Sequence, residues 1–193
     1  MQEKGWSLKE VRAALKQVRA EDFGYASGEI LGSMCTAPHE VAAEAHAMFL
    51  ETNLGDPGHF PGTARLEREA LSDLLALAHG PKGAEGRFTS GGTEANILAA
   101  YLAREKSGGS RIVASDSAHF SFEKAARLLG MELVTVPTKR SGHADPMALG
   151  DALDKETALL VAVAGTTELG LVDPIDEIAA VAHRNDALLH VDA

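Results

Sequence analysis

Cysteine is almost missing from this 193-residue chain: Cys35 stands alone and has no partner for an internal disulfide. A disulfide-stapled secreted scaffold is therefore excluded, and a reducing compartment fits. A basic surplus is missing too. Against 28 Asp and Glu there are 18 Lys and Arg, a formal charge of −10, which argues against a nucleic-acid partner because phosphate-backbone binding needs a basic surface. No apolar run is long enough to span a bilayer, and Met1 to Leu15 carries Glu, Lys and Arg through its helical pattern instead of a signal-peptide apolar stretch. A cytoplasmic protein without membrane association is expected. The glycine signatures of nucleoside triphosphate and dinucleotide sites, G-x-x-x-x-G-K-[ST] and a G-x-G-x-x-G following a strand, are absent. His39, His46, His79, His143 and His183 are not spaced as metal ligands backed by further ligands, so no metal is expected.

What is present reads as a globular protein, 45% hydrophobic and 24% charged, in two parts. Ser7 followed by Glu10 forms a capping-box pattern ahead of the stripe Leu8, Val11, Leu15 and Val18, which predicts an opening amphipathic helix. A second helix is predicted from about His39 to Thr52. Asn53 to Thr63, rich in Gly and Pro, reads as irregular. Thr63 is placed to cap a third helix whose stripe of Leu66, Ala70, Leu71, Leu74, Leu75 and Ala78 ends at Gly80-Pro81. Residues 1–85 thus form a helical arm.

From Gly86 short apolar runs alternate with helical patterns. Strands are predicted at Arg87–Thr89, Arg111–Ser115, Leu133–Val136, Leu159–Ala164 and Leu188–Asp192. The intervening helices are Thr93–Lys106, Ser121–Leu129, Pro146–Asp154 and Ile175–Arg184. Such alternation builds an α/β domain over 86–193, with a parallel sheet covered on both faces and ligands at the carboxyl ends of its strands.

Thr89-Ser90-Gly91-Gly92-Thr93-Glu94-Ala95-Asn96 sits where a strand turns into an alanine-rich helix. Glycine lets a backbone approach an anion, the first helical turn offers N–H groups and the positive dipole end, and the Thr93 hydroxyl adds a donor. A tight strand-to-helix turn explains the glycine pair equally well. Asp192 ends the apolar strand Leu188 to Asp192, where a buried carboxylate needs a cation or a donor. A pyridinium nitrogen is one such cation, which points to pyridoxal phosphate; a loop cap or a local Arg is another answer. His119 follows the strand and loop Arg111 to Ala118 and is placed either to stack on a cofactor ring or to stand as a polar loop residue. Thr166 follows Leu159 to Ala164, within reach of a cofactor oxygen or of Asp192, although Gly165 and Gly170 are equally turn residues. His190 shares a strand face with Asp192, and a core role is the preferred reading. Cys35 has no nucleophile context.

In order and spacing, Thr89 to Asn96, Ser117-Ala118-His119, Gly165 to Gly170 with Val172-Asp173-Pro174, and His190 to Ala193 resemble the group II pyridoxal-phosphate-dependent amino-acid decarboxylases. Leu31 to His39 and Glu51 to Thr63 are similar to the archaeal-type L-tyrosine/L-aspartate decarboxylases. The resemblance covers nearly the whole chain. It implies the large domain of a PLP-dependent transferase-like (fold type I) enzyme, pyridoxal 5'-phosphate as cofactor, an L-amino acid as substrate, and a homodimer. By it, Gly91, Gly92 and Thr93 hold the phosphate, His119 stacks on the ring, Thr166 supports the cofactor, and Asp192 pairs with the ring nitrogen. His59, Phe60 and Pro61 line the substrate entrance. The family's Schiff-base lysine, preceded by histidine, is expected beyond Ala193, since no lysine from Lys4 to Lys155 stands in that pattern. The chain is accordingly expected to be the front part of a longer enzyme and inactive by itself. A sphingosine-phosphate-lyase-like enzyme and a non-catalytic cofactor-binding fragment or subunit are the alternatives.

Overall fold

A computed structural model describes residues 4–31, 33 and 35–193. Two positions of the Leu31 to His39 stretch, Gly32 and Met34, lie outside the described residues, as do Met1, Gln2 and Glu3 of the opening segment. The chain divides into two compact units, Met1–Gly86 and Arg87–Ala193.

The first unit is helical. α1 (Leu8–Arg19) opens on the capping box: the Ser7 N–H donates to Glu10 Oε2 at 2.7 Å and the Glu10 N–H donates back to Ser7 Oγ at 3.4 Å. These Ser7 bonds, the side-chain one first, hold the Glu10 carboxyl below the usual carboxylate range. Leu8, Leu15 and Val18 are exposed along the helix. α2 (Glu40–Met48) is shorter than predicted; His39 is its cap, with Nδ1 accepting the Val41 N–H at 3.3 Å. α3 (Pro61–Leu77) begins two residues before the predicted Thr63 cap. Pro61 accounts for the shift, because a residue with φ preset and no N–H to satisfy suits the first helical position. Leu71 and Leu75 form the inward stripe of α3 with Ala64, and the segment after the helix folds back on it: a Cβ on Gly86 would meet Leu71 Cδ2 at 3.0 Å.

The second unit runs α4 (Gly92–Ser107), β1 (Arg111–Ser115), α5 (Ser121–Leu129), β2 (Glu132–Val136), α6 (Pro146–Asp151), β3 (Thr157–Val163), α7 (Ile175–Arg184) and β4 (Leu188–Asp192). The strands form one parallel sheet in the order β2-β1-β3-β4. β3 is buried at every residue, as a strand covered on both faces must be. Period-two alternation sends Ile112, Ala114, Leu159 and Val161 to the α4/α5 side, where Phe122, Ala125 and Ala100 pack. Val113, Leu160 and Ala162 go to the other side, against Leu149, Ile178 and Val181. A shift in pairing between Arg111 and Ile112 skips Ala158, so Ala158 and Leu159 reach the same cluster.

Two expectations for the second unit are also corrected. Residues 87–89 form no strand among the described residues, and Phe88 is 52% exposed. α6 stops at Asp151, because Asp154 turns toward the next strand, where its Oδ1 accepts the Glu156 N–H at 3.0 Å and the Thr157 hydroxyl at 3.2 Å.

Strand order reverses between β1 and β3, since β1 connects to β2 on one side and the chain then crosses to β3 on the other. The crevice outside the carboxyl ends at such a reversal is where open α/β sheets bind ligands.

Candidate functional site

α4 starts at that carboxyl edge. Its first helical bond runs from the Ala95 N–H to the Gly91 carbonyl at 3.1 Å, so the N–H groups of Gly92, Thr93 and Glu94 precede the ladder and are available as donors. The turn braces itself without using them. Ser90 donates both its N–H and its hydroxyl to Glu94 Oε2 at 2.6 Å, and these bonds, the side-chain one first, lower the Glu94 pKa. Gly91 is extended, and a Cβ on either Gly91 or Gly92 would meet nothing within 4 Å among the described residues. Local sterics therefore give no reason for glycine at these positions, whereas close approach of an external group to the backbone does.

Asp192 closes β4 on the α4/α5 side of the sheet, and α4 reaches it through one residue to which sequence reading assigned no role. Asn96, 3% exposed, donates from Nδ2 to Asp192 Oδ2 at 3.0 Å and to Ser121 Oγ at 2.9 Å. Its Oδ1 lies 2.9 Å from His190 Nε2. His119 Nδ1 lies 2.9 Å from Ser121 Oγ and accepts the Ser121 N–H at 3.2 Å. The half-buried His119 and Asp192, on β1's following loop and on β4, are thereby parts of one network. The Phe120 ring lies 4.0 Å from the His119 ring. His190 also packs edge-on against Phe122 at 5.8 Å; burial lowers its pKa and the Asp192 charge partly opposes this. Facing the Asn96 carbonyl oxygen, its Nε2 is the donor of that pair. The signal for Asn96 was in the sequence: it continues the buried stripe Ala100 and Ala103 at helical spacing, and a polar side chain there requires partners.

Thr166 is buried at the end of the β3 connection. Its Oγ1 accepts the Leu171 N–H at 3.1 Å and its N–H donates to the Leu171 carbonyl at 2.9 Å, which closes the 166–171 loop and leaves the hydroxyl proton uncommitted by that bond. The loop is anchored by Asp173, 3% exposed, whose carboxylate accepts the Ala144 and Val163 N–H groups at 2.9 Å each. His59, Phe60 and Pro61 belong to the first unit: His59 is exposed, with Nδ1 3.4 Å from Asp56 Oδ2, and Pro61 is the first residue of α3. Among the described residues no group of His, Cys, Asp and Glu is arranged to hold a metal, and no helix is long and apolar enough to cross a membrane.

The sequence profile of the Aminotransferase class-V family matches residues 65–193. The chain belongs to this family. Within it, the chain is 47% identical over 195 residues to a probable L-tyrosine/L-aspartate decarboxylase of Methanosphaerula palustris, covering 100% of this chain and 53% of that protein. A protein of the same name from Methanopyrus kandleri is 50% identical over 175 residues, 89% of this chain and 47% of the relative. The chain spans about half the length of the curated relatives it matches. Among solved structures, the Burkholderia pseudomallei sphingosine-1-phosphate lyase superposes with a TM-score of 0.89 at 29% identity, over 99% of this chain and 48% of that one. The glutamate decarboxylase domain of a Vibrio parahaemolyticus diaminobutyrate-pyruvate transaminase and L-2,4-diaminobutyrate decarboxylase gives 0.86 at 26% identity, over 100% and 49%.

The architecture is that of a fold type I large domain, incomplete, as the sequence implied. This class-V fold implies pyridoxal 5'-phosphate as cofactor, and the residues present fit it. An anionic tail would find N–H donors and two glycines whose added Cβ would meet no described atom within 4 Å; a protonated ring nitrogen would find the Asp192 carboxylate. The two are linked through Asn96, four residues along α4 from Gly92, which donates to Asp192 Oδ2 at 3.0 Å.

Proposed function

We propose that the full-length protein is a pyridoxal-phosphate-dependent decarboxylase that converts an L-amino acid, tyrosine or aspartate, to an amine and carbon dioxide in the cytoplasm, as a homodimer. The observation that carries this is the tie between the carboxylate ending β4 and the helix opening at Gly92, in a chain whose similarity to probable L-tyrosine/L-aspartate decarboxylases runs along its whole length. Residues 1–85 serve as the helical arm and 86–193 as the front part of the cofactor-binding domain.

When bound, the cofactor supplies an electron sink for the pair left by the departing carboxylate. The chain's own residues bind and polarise it. The Gly92 and Thr93 N–H groups, beside Gly91, hold the phosphate with the α4 dipole behind them, and the Thr93 hydroxyl adds a donor. Asp192 would hold a proton on the ring nitrogen by charge. His119 would cover the ring, and Thr166 would offer its uncommitted hydroxyl proton to a cofactor oxygen. His59, Phe60 and Pro61 border the substrate's path.

The likeness to the sphingosine-1-phosphate lyase supports a second reading, an aldehyde lyase on the same scaffold. The test gives the full-length, cofactor-loaded protein carboxyl-labelled tyrosine, aspartate and glutamate in one arm and a long-chain amino-alcohol phosphate in the other. Labelled carbon dioxide from tyrosine or aspartate supports decarboxylation; aldehyde release alone establishes the second reading. No cofactor uptake at all overturns both.

A further inference from the structure

We infer that Asn96 is the positioning residue of this site, setting the Asp192 carboxylate directly and the His119 ring through Ser121. This deepens the proposed function and rests on its reading of Asp192 and His119 as groups that face the cofactor. Asp192 Oδ2, 3.0 Å away, can only accept, so the Asn96 atom facing it must be the amide nitrogen. That choice places Oδ1 toward His190 Nε2, which donates to it. The second amide proton goes to Ser121 Oγ at 2.9 Å, and Ser121, now an acceptor, sends its single hydroxyl proton on to His119 Nδ1 at 2.9 Å. The Ser121 N–H reaches the same nitrogen at 3.2 Å. His119 Nδ1 therefore acts as an acceptor, and the ring hydrogen sits on Nε2. Two anchors fix the directions: the acceptor carboxylate orients the Asn96 amide, and the Ser121 N–H on Nδ1 makes that nitrogen the acceptor of the Ser121 hydroxyl.

Burial separates this arrangement from an ordinary satisfied core amide. The two middle members are sealed, Asn96 at 3% and Ser121 at 0% exposure, whereas the two end members, His119 and Asp192, are half-buried at the carboxyl edge. Packing alone would be served by alanine at 96, as it is at Ala100 and Ala103 on the same stripe. No other small side chain supplies what the amide does. A serine has one proton to give, and an aspartate would set a second carboxylate against Asp192. The network ties α4, α5 and β4 together at one point, so the helix that presents donors to the phosphate also sets the group meant for the far end of the ring.

The experiment uses the full-length protein with Asn96→Ala and Ser121→Ala. In the cofactor-free state, nitrogen-15 shifts of the His119 imidazole report its tautomer: the Nε2–H form is expected to dominate in the wild type and to lose population in both variants, where the residue 121 backbone N–H at 3.2 Å is the remaining donor that holds Nδ1 as an acceptor. Pyridoxal phosphate titration should show affinity reduced about 10-fold in each variant, with altered visible circular dichroism of the bound chromophore, a signature that a purely structural loss does not produce. Far-ultraviolet melts identify a variant that does not fold. Should Asn96→Ala be one, Ser121→Ala decides, since it removes a single oxygen and leaves the Asn96–Asp192 bond in place. Affinity within about twofold of wild type, unchanged visible dichroism and an unchanged His119 tautomer overturn the inference. Failure of the wild type to bind pyridoxal phosphate overturns the proposed function instead, and the tautomer in the cofactor-free protein then still decides whether the network is as described.

Discussion

Replacing Asp192 by asparagine in the full-length protein isolates charge from shape. The amide is nearly isosteric with the carboxylate, and its oxygen can still accept the Asn96 N–H that reaches Asp192 at 3.0 Å. The fold is expected to survive, with a cofactor-free stability change of no more than about 1 kcal/mol, the worth of one neutral hydrogen bond. Cofactor binding should respond more. A hydrogen bond to a charged group contributes about 1.5–3 kcal/mol and a neutral one about 0.5–1.5, so the variant loses about 1–2 kcal/mol, or about 5- to 30-fold in affinity. Turnover should fall further, by about 100-fold or more at saturating cofactor, because the carboxylate acts most strongly as electrons arrive in the ring. Urea melts of the cofactor-free protein, cofactor titration and labelled carbon dioxide release give the three numbers separately. Turnover within about threefold of wild type at saturating cofactor would refute the role given to Asp192.

Gly92→Ala should leave the cofactor-free melting temperature unchanged or raised, since its Cβ meets nothing and alanine favours helix, while cofactor affinity drops by about 10-fold; unchanged affinity in a titration would count against the phosphate seat. Gly109→Ala should destabilise by about 1–3 kcal/mol in urea melts, because the new Cβ would stand 2.7 Å from the Glu156 carbonyl and 2.8 Å from the Ala158 nitrogen, both backbone atoms of the β3 entry; a wild-type midpoint would show that the strand can yield. Burial holds the His190 pKa below its ordinary 6.5, against the pull of Asp192. The unfolded chain then binds the extra proton first, so stability is complete above that ordinary value and is lost as pH falls through the folded one. Melts at about pH 7.5 and about pH 5.5 should show this acid loss reduced in His190→Gln, and an identical loss in the variant would assign it elsewhere.

Much of the second unit was legible because local signals and tertiary packing agree. β1, α5, α7 and β4 begin and end where alternation, the αL glycine Gly130 and the apolar runs place them. Residues 87–89 misled because β-propensity describes a segment and not the ladder partner it needs. Thr63 misled because Pro61 competes for the start of the same helix. At the site, Gly91, Gly92, His119, Thr166 and Asp192 stood out by residue type and by position at strand ends. Their interdependence did not, since Asn96 meets Ser121 across 25 residues and Asp192 across 96. Side-chain proton direction becomes readable only once three elements share one point. Asp173 was similarly hidden: nothing in its own neighbourhood announces that it takes N–H groups from two separate segments.

The bond between Asn96 and Asp192 joins the first helix of the α/β unit to its fourth strand. Closing a loop of that length comes late in folding, after local helices and neighbouring strand pairs have formed. A slow step in β4 docking is therefore expected to leave the Asp192 carboxylate unplaced while α4 and its neighbours already carry their secondary structure.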